Sequence, residues 1–120
     1  MTYTQLKNKD GSFVAPDDKS FSAAAAGADW AHAPGFYEII TDEPGKASWP
    51  ISGASFILIH KVQDKPESGK EVLTFFDWAY KNGDQMALAL DYIPIPDSVA
   101  QLVASQWKAN IKDAAGKPVF

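Results

Sequence analysis

The sequence predicts an α/β chain in which helices outweigh strands, and three observations carry that reading. Two long apolar stripes at helical spacing run over 66–81 and 97–111. One continuous apolar run, Phe56–Ile59, has the character of a strand buried on both faces. A short alternating stretch, Tyr3–Leu6, is followed by the turn signal Lys9-Asp10-Gly11-Ser12 and the start of a return stretch at Phe13-Val14. Two or three strands cannot make an independent sheet, so patterning alone points to an incomplete domain.

Along the chain, each element has its own local cause. Pro16 suits the first turn of a helix, where its missing N–H costs nothing. Asp17 and Asp18 complement the positive helix end. Phe21, Ala24 and Ala25 repeat at helical spacing and Gly27 is a stop, so a helix is expected over 16–26. The stretch Asp29–Lys46 mixes aromatics with Pro34, Gly35, Pro44 and Gly45, and supports one helical turn near Phe36–Ile40. Pro50 pushes Trp49 toward extended geometry before Phe56–Ile59.

Pro66 opens the clearest helix, with Val72, Phe75, Phe76 and Ala79 as its apolar face, Lys81 in its last turn and Gly83 as its stop. A short helix is expected over 84–90. Tyr92–Pro96 must be extended, because prolines at 94 and 96 deny it a ladder interior. Asp97-Ser98 begins a last helix to Ile111, striped by Val99, Leu102, Val103, Gln106, Trp107 and Ile111. Ala114–Phe120 reads as turn and tail.

Charge and composition exclude several functions. The net charge is −4 over 120 residues and all eleven cations are lysine. An acidic chain does not suit a nucleic-acid or anionic-membrane partner. Absence of arginine removes the usual bidentate partner of phosphate and carboxylate. Absence of cysteine excludes disulfides and thiolate chemistry. No apolar run is long enough to span a membrane, and the opening residues from Met1 show no leader-peptide core.

No catalytic constellation emerges. His32 and His60 have no ligand-type residue at i, i+4 on a shared helix, so neither marks a metal site. Asp77 lies among aromatics and is a candidate tuned acid, but it also fits an ordinary hydrogen-bonded helix residue. Ser52-Gly53-Ala54-Ser55 offers hydroxyls and N–H groups to an anion, yet it lacks a P-loop ending and fits a strand entry. Ser55 has no nucleophile elbow. Trp30, Trp49, Trp78 and Trp107 can stack sugars or bases, with core packing as the default. The expectation is therefore no catalytic or metal-ligating residue in this chain, no cofactor, and no enzyme.

Several stretches together resemble bacterial periplasmic phosphate-binding proteins of ABC transporters, of the PstS type. They are Trp49-Pro50-Ile51 with Phe56–Lys61, Glu71–Lys81, Leu90-Asp91-Tyr92, and Pro96–Val99 through Trp107–Asp113 to Gly116-Lys117-Pro118. Tyr3–Leu6 and Gly27–Trp30 fit the segment before them, while Ala31–Lys46 departs most.

The resemblance implies the C-terminal part of a type II periplasmic-binding-protein fold, with two lobes linked by crossing strands and incomplete in this chain. Residues 1–51 would belong to the second lobe, 52–60 would cross near the hinge, and 61–120 would complete the first lobe. It implies a parent that captures inorganic phosphate in the periplasm and delivers it to ABC permease subunits. The family's phosphate ligands come from segments N-terminal to these residues, so the chain alone would not bind phosphate. The missing cover would then come from the rest of the parent protein, from self-association or domain swapping with a second copy, or from crystal neighbours. The alternative is a free-standing interaction domain without a ligand.

Overall fold

A computed structural model describes residues 2–120; Met1, where the leader reading and the 1–51 assignment begin, lies outside them. The architecture is mixed helix and strand with two small sheets, in keeping with a partial α/β fold. The chain divides into two compact units. The first runs to Phe56 and includes Ile95–Val99; the second comprises Ile57–Pro94 and Ala100–Phe120.

The first unit opens with a hairpin. Strands β1 (Leu6–Lys7) and β2 (Phe13–Val14) pair antiparallel, with Leu6 opposite Val14. The first strand thus lies later than Tyr3–Leu6, nearer the turn that aligns it. Gly11 takes φ +83 in that turn, a conformation that costs glycine little.

Asn8, buried at the turn, ties the hairpin to a distant loop. Its Nδ2 lies 3.0 Å from the carbonyls of Gly45 and Lys46 and 3.2 Å from that of Ser48. Its Oδ1 accepts from the Ser12 N–H at 3.0 Å.

Helix α1 (Asp18–Gly27) starts later than the expected 16–26, because Asp17 is its cap and Pro16 stands outside. The Asp17 carboxylate accepts from the Ser20 N–H at 2.8 Å and the Ser20 hydroxyl accepts from the Asp17 N–H at 3.1 Å. Such a reciprocal cap is worth about 0.5–2 kcal/mol. Gly27 is the last helical residue and Ala28 the C-cap, so Gly27 is not the stop outside the helix that its type suggested.

The helical turn expected at Phe36–Ile40 is instead a 3₁₀ turn at Pro34–Phe36. Gly35 and Phe36 are both left-handed, at φ 66 and φ 59, and no right-handed helix continues through two such residues. Phe36 stacks on Trp30 at 5.6 Å, which offsets part of the backbone cost. The unit's core joins Ala25, Trp30, Ile40 and Val99, with Phe36, Ala54 and Ile95 packed against them.

Phe56–Ile59 forms no strand, which corrects the expectation of a strand buried on both faces. Among the described residues no segment pairs with it in a sheet. Leu58 is 94% exposed and Phe56 and Ile57 are also exposed. An apolar run records what a segment can bury; a strand also needs a neighbour for its N–H and C=O groups.

The second unit is built on helix α2 (Pro66–Asn82), with Pro66 at its first position as expected. Helices α3 (Asp84–Ala89) and α4 (Asp97–Asn110) follow, the latter contributing Ala100 onward to this unit. Strand β3 (Val62–Gln63) pairs in parallel with β4 (Lys112–Asp113), a pairing absent from the sequence reading. Gly69 permits the close approach of α2 to Gln63, since a Cβ there would sit 2.6 Å from the Gln63 Oε1.

The core holds Leu73, Trp107, Ile111 and Val119, with Ile59, Phe76, Tyr80, Val103 and Phe120 against it. The buried face of α2 is therefore Gly69, Leu73, Phe76 and Tyr80. Val72 and Phe75, expected on the apolar face, are exposed. The helix is apolar on more than one face, so its buried side is not set by periodicity alone.

Candidate functional site

The chemistry-bearing residues are dispersed and mostly engaged in local structure. His32 Nδ1 contacts both Asp29 carboxylate oxygens, at 2.8 and 2.9 Å, and both side chains are exposed. His60 is exposed, and its backbone carbonyl accepts from the Gln63 amide. Asp77 pairs with Lys81 at 2.7 Å one turn along α2, the ordinary helix arrangement. Its side chain is about three-quarters buried, with Lys81 as its partner.

The hydroxyl of Ser52 is buried and donates to the Trp49 carbonyl at 3.0 Å, while Ser55 is exposed. These two serines therefore do not face one anion cradle as a pair. Among the described residues, no group of three or more His, Asp or Glu is placed to hold a metal ion. No helix there is long and apolar enough to cross a membrane.

Three tryptophans are core residues. Trp30 lies between α1 and the 3₁₀ turn, and Trp49 packs on Phe21 at 6.0 Å. Trp107 is stacked by Tyr80 at 6.0 Å and met edge-on by Phe120 at 5.6 Å. Trp78 differs: it is 48% exposed and stacks on Phe75 at 6.4 Å. Together with Glu67, Lys70, Glu71 and Thr74 they line an open groove along α2. The sequence shows Phe75 and Trp78 at i, i+3, but that spacing equally describes a core stripe.

Among the described residues, two groups are shifted from their ordinary values. Burial, and then the nearby Glu38 carboxylate, push the Glu43 carboxyl upward against the opposing effect of Lys9; Asp42 adds a smaller upward contribution. Burial pushes the Tyr80 phenol above its ordinary 10.0. The unfolded chain then releases the tyrosine proton more readily than the folded one. Stability of the second unit is expected to hold below about pH 10 and to fall as pH rises through the folded value. Denaturant melts from pH 9 upward check this, with Tyr80→Phe expected to flatten the alkaline loss. An identical alkaline limb in the variant would overturn it.

No family model matches the chain. Among curated proteins it is 48% identical over 120 residues to a protein of Pasteurella multocida named phosphate-binding protein PstS, covering all of this chain and 35% of the relative. It is 47% identical over 112 residues to the protein of that name from Haemophilus influenzae, covering 93% of this chain and 34% of the relative. A third of that name, from Xylella fastidiosa, is 38% identical over 112 residues, covering 93% and 31%. The chain spans about a third of the length of the curated relatives it matches.

Proposed function

We propose, since this chain belongs to the PstS family of phosphate-binding proteins and corresponds to a C-terminal portion of such a protein, that the whole protein captures inorganic phosphate in the periplasm and delivers it to the permease of an ABC-type phosphate importer. The similarity over the full 120 residues carries this reading. The function is binding and delivery, not catalysis.

The site itself lies in other parts of the protein. A phosphate dianion held away from water needs several converging donors, and arginine is its usual bidentate partner. This chain has no arginine, and the Ser52 hydroxyl is already engaged with Trp49. The chain's role is scaffold: residues 1–51 in the second lobe, 52–60 crossing near the hinge, and 61–120 completing the first lobe. The change of compact unit at Phe56 and Ile57 supports a crossing there, although Ile95–Val99 group with the first unit and not with the rest of 61–120. Calorimetric titration is the test. The whole protein is expected to bind phosphate saturably and the 120-residue chain to bind none. Saturable micromolar binding by the chain would overturn the placement of the site.

The bare apolar surface belongs, on this reading, under the rest of the protein. Leu58, Phe75 and Trp78 are exposed in the chain, and burying a side chain of that kind is worth roughly 1.5–3 kcal/mol. The chain by itself is therefore expected to self-associate, through a second copy or a swapped element. Sedimentation across a concentration series reads this directly. A compact monomer with a sharp melt at every concentration would show that the segment stands alone.

A further inference from the structure

We draw no further inference here: the strongest candidate, the open groove along α2 lined by Glu67, Lys70, Glu71, Thr74, Phe75 and Trp78, is an unpartnered, largely apolar face, and nothing in the structure shows what covers it.

Discussion

Leu73→Ala is expected to lower the stability of the second unit by about 2–5 kcal/mol. Leu73 has no exposed surface and sits in the cluster of Trp107, Ile111 and Val119. Those neighbours come from α4 and from the segments after it, so α2 cannot simply settle into the space left behind. The cost then has two parts, the lost transfer of the leucine side chain from water and the cavity. Against a typical total of about 5–15 kcal/mol, a loss of this size removes much of what holds a domain folded.

The adjacent Val72→Ala is the control. Val72 is exposed on the same helix, and its truncation should change stability by no more than about 0.5 kcal/mol. Denaturant midpoints of both variants measure the difference. Equal losses would mean that the buried side of α2 has been assigned to the wrong residues.

The second large effect is expected at Trp30 in the first unit. Its indole N–H donates to the Ala25 carbonyl at 2.7 Å in a buried setting. Ala25 lies in the last turn of α1, where carbonyls have no partner further along the helix. The indole thus closes the helix end while its ring fills the core between Ile40 and Val99. Trp30→Ala removes both and is expected to cost about 3–5 kcal/mol.

Trp30→Phe keeps most of the apolar volume and leaves a buried carbonyl unpaired, a loss of about 1–3 kcal/mol. Hydrogen exchange of the α1 amides, read beside the denaturant midpoint, separates the two contributions. If phenylalanine costs as much as alanine, the hydrogen bond dominates; if it costs nothing, the helix-end role is wrong.

What the sequence makes legible follows from where the physical signal resides. The long helices α2 and α4 carry their causes locally: Pro66 at a first position, Gly83 as a stop, and Val99, Val103, Trp107 and Ile111 on one side of a stripe. The hairpin turn is legible for the same reason, since Gly11 meets a local backbone need.

Features that depend on a distant partner are not legible in this way. Phe56–Ile59 has strand composition, but only a neighbouring strand makes it one. The β3 and β4 strands are two residues each and too short to show a period. Asn8 stands just before the turn signal Lys9–Ser12, and its reach to Gly45–Ser48 leaves no trace in the pattern. The candidate site is subject to the same limit. Each tryptophan's type permits stacking on a ligand, and only its surroundings divide Trp78 from the three in the cores.

The Asn8 clamp also sets a strict demand on the chemistry of one side chain. Three carbonyl oxygens converge on one amide nitrogen that has only two hydrogens to offer. The orientation of the amide is thereby settled, with the oxygen turned to the Ser12 N–H. An aspartate here would be nearly identical in size and shape. At this position the change would set a carboxylate oxygen against three carbonyl oxygens, replacing attraction with repulsion inside a buried contact. The hairpin and the 45–48 loop would lose their tie without a single atom of bulk being removed, so the hairpin's attachment depends on the identity of one nitrogen.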